Sequence, residues 1–436
     1  MATDQAVKAI PLSVKPILLP SVAVQLALGA KAFEGEKDDG VIVEFEGSRV
    51  SLHMVDFDLV SEVARRLKAK YFQTRPAKFV PHTITLAMVI DAQRLVSDLI
   101  FKPGCIRIIY YPVLSPGSAF YRCHLPALGL NKGAKVIAHI SRDRVAREAL
   151  EYDVIVIQID HTDATASFAR TLQQMGKKVV FEIDDAFDAM EPWHPQYAQY
   201  SRAFEQDRMR RLFKLADAVS VSTPALAERY AELNRRIEVI PNYIDVGGWP
   251  RATARPADGL FRILWAGSPA HWGDLNVIAK PLFQFVRQTK DARLVFFGDV
   301  PDLPDDIKAR AEAHPFVPFG EYPVKLADLR VDAALAPLVD CPFNLCKSPI
   351  KVMEYLSTGY PVIASDVGPY KMFEQGALLC TTDGGWLGSL QRMHDDPGLR
   401  TKLVDEGRKF VAKFDVFDNV EKLENFYCSL KEPSHA

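Results

Sequence analysis

Lys347 to Gly368, KSPIKVMEYLSTGYPVIASDVG, reads as one helix followed by one buried strand. Ser348 is a good N-cap, Pro349 suits the first helical position, Gly359 suits the position after the last turn, and Pro361 stops the helix before the strand Val362 to Ser365. A helix leading through a Gly and a Pro into a β-branched run is the return step of a parallel sheet. Within the helix, Lys351, Glu354 and Thr358 share one face while Val352, Met353 and Leu356 can pack inward. This predicts an exposed polar face, either solvated or holding a ligand. Lys347 and Lys351 beside the positive helix end outline a diphosphate site.

The same rhythm extends in both directions. Downstream of Cys105, IRIIYYP, AKVIAHI, DVIVIQI, KKVVFEI, AVSVST and IEVIPN each precede a helical stretch. The segment VGGWPRATARPADG, rich in Gly, Pro and Ala, then intervenes, and the rhythm restarts with FRILWAG, ARLVFFG, FVPFG, VDAALAPL, PVIASD and ALLCT. The expectation is an α/β chain of two Rossmann-like parallel-sheet domains facing each other, with the site outside the carboxyl ends of the strands. Their expected bounds are 104–250 and 259–414, with 415–436 forming a helix that crosses back to the first domain. Residues 1–103 read as a small N-terminal α+β extension of unknown role. Val41 to Glu46 and Val50 to Val55 look like a hairpin, one helix follows Asp58, and another covers Ile84 to Phe101. The extension is a candidate oligomerisation or docking unit.

Composition agrees with a multidomain globular chain: 436 residues exceed what one core sustains, which is about 250–300. A formal charge of −2 supplies no global field for nucleic acid or anionic membrane. The six cysteines include no Cys-x-x-Cys pair, which argues against a disulfide framework or structural zinc and makes a reducing cytoplasm the expected compartment. The apolar run Ile17 to Ala30 is broken by Pro20, lies behind a long N-terminal stretch and is too short to span a bilayer. It is not read as a signal peptide, and no transmembrane segment is expected.

The order Lys347-Ser348-x-x-Lys351-x-x-Glu354-Tyr355, then Gly359-x-Pro361-Val362-Ile363-Ala364-Ser365-Asp366-x-Gly368, resembles the donor-nucleotide motif of GT-B glycosyltransferases of the large retaining family 4 type. Gly267-Ser268-Pro269-x-His271-x-x-Asp274-Leu275 is similar to their diphosphate-facing loop. Phe181 to Asp185, Ala216 to Pro224 and Ile240 to Asp245 are similar to segments of the first domain. The resemblance covers about Cys105 to Leu430 and none of 1–100.

The resemblance implies transfer of a hexosyl or pentosyl group from a nucleotide diphosphate sugar, with retention and with no cofactor or metal. Glu354 would hold the ribose hydroxyls, and Phe319 to Tyr322, with Gly320, would flank the base, although Phe319 reads equally as core. Gly267, Ser268, His271 and Tyr355 complete the donor side. Lys347 and Lys351 substitute for the basic pair that the family carries in the Gly267 loop. The family's pattern carries an earlier glutamate too, and Cys346 stands in its place, so contacts to the donor sugar must differ here.

On the acceptor side, Ser115-Pro116-Gly117-Ser118 opens a helix carrying Tyr121 and Arg122, and is either a close-approach loop or a plain strand-to-helix turn. His161, Asp184 and Asp185 follow strands and face the cleft. Asp184 aligns where many family members have a histidine beside the reacting sugar, the alternative being a helix cap. For His161 a structural role is the better reading. Asp184-Asp185 superficially resembles the metal motif of another glycosyltransferase fold, but too few further oxygen ligands accompany it.

The acceptor is open: saccharide, lipid-linked saccharide, protein, small molecule or modified nucleic-acid base. Two other readings remain: a nucleotide-sugar epimerase or hydrolase on the same fold, and a non-catalytic sugar-binding or scaffold subunit.

Overall fold

The structure is a computed structural model. It describes the backbone of 31–34, 40–45 and 48–53, and then 105–113, 115–141, 144, 146–254 and 256–431. Strands β1 (Lys31–Glu34), β2 (Gly40–Phe45) and β3 (Ser48–His53) form an antiparallel sheet in the order β1-β2-β3. Phe45 pairs with Ser48, so the second strand begins at Ser48, which the sequence places in the turn. The helices expected after Asp58 and over Ile84 to Phe101 lie outside the described residues. The chain divides into two compact units: 1–106 with 130–139, and 107–129 with 140–436.

The first parallel sheet contains β4 (Ile106–Tyr111), β5 (Val136–Ile140), β6 (Val154–Gln158), β7 (Lys178–Ile183), β8 (Ala218–Val221) and β9 (Ile237–Val239), in the order β5-β4-β6-β7-β8-β9. The second contains β10 (Phe261–Gly267), β11 (Ala292–Gly298), β12 (Ala311–His314), β13 (Ala333–Ala336), β14 (Val362–Ser365) and β15 (Ala377–Cys380), in the order β12-β11-β10-β13-β14-β15. Both are doubly wound. In each, the strand order reverses beside the sheet's own first strand, and a crevice opens there at the carboxyl ends.

Burial explains the uninterrupted apolar runs. β6, β8, β13 and β14 are buried along their whole length because helices cover both faces. In the second sheet, Leu264, Val295, Ala334 and Val362 pack on one face with Met353 and Leu356 of the helix Ile350–Thr358. Ile263, Leu294, Leu335 and Ile363 pack on the other with Leu282 and Leu390.

One strand is displaced from its expected place. FVPFG is not a strand; β12 is the polar AEAH just before it, pairing only with β11. An edge strand with one hydrogen-bonded neighbour does not need apolar residues on both faces. Phe316, Val317 and Phe319 are thereby released into the loop that borders the site. The linker is also more structured than its composition suggests. Trp249 is buried, its Nε1 donates to Thr358 Oγ1 at 2.9 Å, and Ala252 N donates to Thr358 O at 2.8 Å.

The helix Val420–Ser429 meets the first sheet: the Tyr427 and Tyr110 hydroxyls are 2.7 Å apart, and Arg236 donates to Ser429 Oγ at 2.5 Å. Among the described residues, no helix is long and apolar enough to cross a membrane.

Candidate functional site

A cavity of about 540 Å³ lies where the carboxyl ends of the two sheets converge. Ser115, Gly117, Ser118 and Tyr121 reach it from the segment after β4, and Asp184 and Asp185 from the end of β7. From the second sheet come Gly267 at the end of β10 with Ser268 and His271 just after it, Phe319 and Tyr322 after β12, and Lys347, Ser348, Lys351 and Glu354 around the helix Ile350–Thr358. Sequence reasoning therefore named eleven candidate site residues that the structure brings to one cavity: Gly117, Tyr121, Asp184, Asp185, Gly267, Ser268, His271, Phe319, Lys347, Lys351 and Glu354; Ser115, Ser118, Tyr322 and Ser348, members of quoted segments, line it too.

The close approach of β10 to its neighbours depends on glycine. Gly267 and Gly298 are register partners; Gly298 has φ +111°, and a Cβ there would lie 2.3 Å from Gly267 O. At Gly267 a Cβ would come within 2.7 Å of the Trp265 ring. Under the loop, Asp274 ties the second domain's crevice together. Its Oδ1 accepts from Val339 N at 3.0 Å and from Asn344 Nδ2 at 2.7 Å, while Oδ2 lies 3.1 Å from His271 Nδ1. Burial and the Lys351 charge push the His271 pKa far down, so the imidazole is neutral. An ionised carboxylate can only accept, so His271 donates through Nδ1 and Nε2 carries the lone pair.

Both lysines are confined. Lys347 Nζ is 4.0 Å from Asp185 Oδ1 and 4.5 Å from the centroid of Phe343. Lys351 lies 5.7 Å from the Trp265 ring centroid, and burial lowers its pKa to about 8.

Glu354 is 7% exposed, which corrects the expectation of an open polar face. Tyr121 donates to Oε1 at 2.6 Å from the first domain, and Tyr322 donates to Oε2 at 3.0 Å from the second. Burial raises its pKa to about 7, with the two hydroxyls and Lys351 opposing the shift. Phe319 lies 4.7 Å from Phe120 and 5.9 Å from Tyr322, which itself stacks 5.2 Å from Phe297. Ser348 does not cap its helix, which begins at Ile350 with Pro349 at the N-cap position. Instead Ser348 Oγ accepts from Asn242 Nδ2 at 2.7 Å. Thr358, expected on the polar face, is consumed by Trp249 and by its own bond to Glu354 O at 2.8 Å.

Asp184 accepts from Ser118 Oγ at 2.6 Å through Oδ2, and its backbone carbonyl accepts from Ser222 Oγ at 2.8 Å. Burial and the neighbouring Asp185 raise its pKa to about 6, against the pull of Ser118 and Arg122.

Four of the named residues lie elsewhere. Arg122 is buried in a pair with Glu182 at 2.6 Å and also donates to Asn242 Oδ1 at 2.9 Å. His161 packs 2.9 Å from Glu205 Oε2 and 3.0 Å from Ile159 O. Tyr355 is fully buried and accepts from Ala266 N at 3.1 Å. Gly320 does not line the cavity. Asn242, Asp274 and Asn344 carried no assigned role in the sequence; Asn344 is a buried amide in the otherwise apolar one-turn helix Pro342–Leu345, the sort of residue that signals a hydrogen-bonded knot. Among the described residues, no group of three or more His, Cys, Asp or Glu converges as a metal site.

No family model and no curated protein sequence matches the chain. Solved structures do. Anabaena HepE in complex with UDP-glucose superposes with a TM-score of 0.53 at 13% identity, covering 74% of this chain and 100% of that one. The N-terminal domain of Candida albicans trehalose-6-phosphate phosphatase does so with a TM-score of 0.51 at 11% identity, covering 76% and 97%. At these identities the likeness concerns the fold, and with the two sheets described above it makes the architecture that of a GT-B protein: two Rossmann-like domains facing across a cleft.

Proposed function

We propose that the protein is a glycosyltransferase that moves a sugar from a nucleotide diphosphate sugar to an acceptor hydroxyl, with retention of anomeric configuration. The observation that carries this reading is the cavity itself. Two half-buried lysines and the Gly267 loop occupy its second-domain side, and the Asp184 carboxylate meets them from the first. HepE, which has this fold, is a UDP-glucose complex.

Transfer breaks the bond between the anomeric carbon and the diphosphate oxygen. Negative charge grows on the leaving phosphate and positive charge on the sugar. Lys347 and Lys351 act on the first, with the amino end of the helix Ile350–Thr358. Neutral His271 meets a phosphate as a donor only once it takes a proton, which the incoming negative charge favours. Asp184 supports the developing positive charge. On the retaining course the departing phosphate oxygen takes the acceptor's proton on the same face, and the acceptor oxygen bonds to the anomeric carbon. Glu354 has about four lone-pair positions, two of them used by tyrosines, and receives the ribose hydroxyls.

A panel of nucleotide sugars tested by thermal denaturation identifies the donor. The cognate one at about 100 times its Kd adds about 2.7 kcal/mol. Proton NMR of the first-formed product then reads its configuration. Absence of stabilisation by every nucleotide sugar overturns the donor assignment; an inverted product, with Asp184→Asn inactive, overturns retention and makes Asp184 a general base.

A further inference from the structure

Gln158 ends β6 with no exposed surface, a fully buried amide in an otherwise apolar strand. Its partners fix its orientation. Val113 N donates to Gln158 Oε1 at 3.1 Å and the Cys123 thiol donates to the same oxygen at 3.4 Å. A backbone N–H can only donate, so the carbonyl end of the amide faces Val113 and the NH₂ end faces Ser118, to which it donates at 2.7 Å. Ser118 Oγ, accepting that bond, has its own proton left for Asp184 Oδ2 at 2.6 Å. The relay has one polarity from main chain to carboxylate: Val113, Gln158, Ser118, Asp184.

We propose that Gln158 and Ser118 are positioning residues that hold the Asp184 carboxylate ionised and oriented at the cavity. A protonated carboxyl could satisfy Ser118 only through its unprotonated oxygen, whereas the carboxylate takes the bond in either rotation and is stabilised by it, being the stronger acceptor. The short Ser118 bond also commits Oδ2, so Oδ1 is the oxygen left for bound sugar. Ser222, holding the main-chain carbonyl, limits movement of the whole residue. The surroundings make such a device necessary. Asp185 and Glu182 are acidic neighbours, the Tyr200 hydroxyl and the Cys123 thiol beside them are held neutral because burial raises both, and Arg122 is the nearby cation, itself committed to Glu182. Lys347 faces Asp185. Burial among these groups pushes Asp184 towards its neutral form, and the Ser118 proton pushes back.

This inference rests on the reading of Asp184 as the carboxylate beside the reacting sugar, but its first test needs no substrate. In protein labelled with ¹³C at the aspartate carboxyl carbons, the Asp184 signal is assigned by its loss in Asp184→Asn and followed against pH. Ser118→Ala should move the titration midpoint up by about one unit or more from the wild-type value. Gln158→Met, which frees the hydroxyl to turn away, should move it in the same direction, and Ser118→Thr, which keeps the donor, should leave it near wild type. Should Ser118→Ala fail to fold, Gln158→Met carries the test. Identical midpoints in wild type and both disrupting variants overturn the proposal. With a donor in hand, the acid limb of kcat against pH should shift as the NMR midpoint does. A wild-type protein that turns over no nucleotide sugar yet shows the titration shift refutes the transferase reading and leaves the relay standing.

Discussion

Donor affinity should bend near pH 7, and Glu354→Gln should remove that bend. Glu354 is the buried carboxylate proposed to accept the ribose hydroxyls, and its pKa is raised to about 7 chiefly by burial. Hydroxyl donors need the ionised form, so apparent affinity follows the ionised fraction: about 0.9 one unit above the pKa and about 0.1 one unit below it. Between pH 8 and pH 6 the wild-type Kd should therefore rise about tenfold. Lys351 loses its charge above about pH 8, which weakens diphosphate binding from the other side. The wild-type profile is a dome with its top between pH 7 and pH 8.

Gln keeps the acceptor for Tyr121 and presents an NH₂ that the Tyr322 oxygen can accept, so the fold survives. Replacing charged hydrogen bonds by neutral ones costs about 1–1.5 kcal/mol per bond, or roughly five- to twelvefold in Kd at pH 8. The variant should be weaker at pH 8, lack the acid limb and keep the alkaline one. Fold stability has its own sign. A carboxyl whose folded pKa lies above its unfolded value near 4.5 contributes stability that is fully present below 4.5 and is lost as pH rises through about 7; the variant should not show this loss. Isothermal calorimetry at fixed ionic strength measures the profile. An acid limb that persists unchanged in Glu354→Gln refutes the assignment and passes the titration to another group, Asp184 being the first to test.

Two further outcomes concern the second domain. Gly298→Ala should lose folded protein at ordinary temperatures, because φ +111° disfavours any side chain and the new Cβ meets Gly267 O at 2.3 Å; circular dichroism melts read this, and a near-wild-type melt would mean that the β10–β11 ends are not so tightly joined. Lys347→Met should lower kcat by something on the order of 10², as removal of one transition-state donor does, with little change in melting temperature because its ion-pair partner Asp185 is partly solvated; an unchanged kcat takes Lys347 out of the phosphate role.

Most of the architecture was legible because parallel strands covered on both faces are written as continuous apolar runs; all but one of the expected strands of the two sheets stand where the sequence puts them. The exception, FVPFG, shows the limit of that logic. An aromatic-rich run reads as a buried strand, but here Phe316 is exposed and Val317 and Phe319 are only half-buried where they border the cavity, while the true edge strand AEAH carries no apolar signal. Cavity positions were legible from strand ends, since a residue just past a parallel strand has few other places to go. Side-chain partners were not. Glu354 reads as exposed from helix periodicity alone, because the covering groups, Tyr121 and Tyr322, lie far from it along the chain and one comes from the other domain. Ser348 reads as a cap for the same reason: local rules assign it to its own helix, whereas Asn242 reaches it from the first domain.

Those two misreadings share a cause that bears on function. Each residue in question is joined across the cleft: Glu354 to Tyr121, and Ser348 to Asn242, which in turn accepts from buried Arg122. The aromatic contacts of Phe319 with Phe120 and Tyr121 run beside them. A carboxylate proposed to bind donor therefore already has a partner in the opposite domain, and ribose hydroxyls and the Tyr121 hydroxyl address the same acceptor. If both fit at once, donor binding strengthens closure, because a charged acceptor with lone pairs to spare gains partners without losing any. If they compete, removing the Tyr121 hydroxyl frees an oxygen for ribose but also raises the Glu354 pKa further by taking away a hydrogen bond that lowers it. The two cases part above pH 8, where Glu354 is ionised either way: competition alone would make a hydroxyl-less variant bind donor more tightly there. The pH profile of affinity is thus the measurement that separates a shared acceptor from a contested one, and the reason the Glu354 titration deserves to be measured before any other property of the cleft.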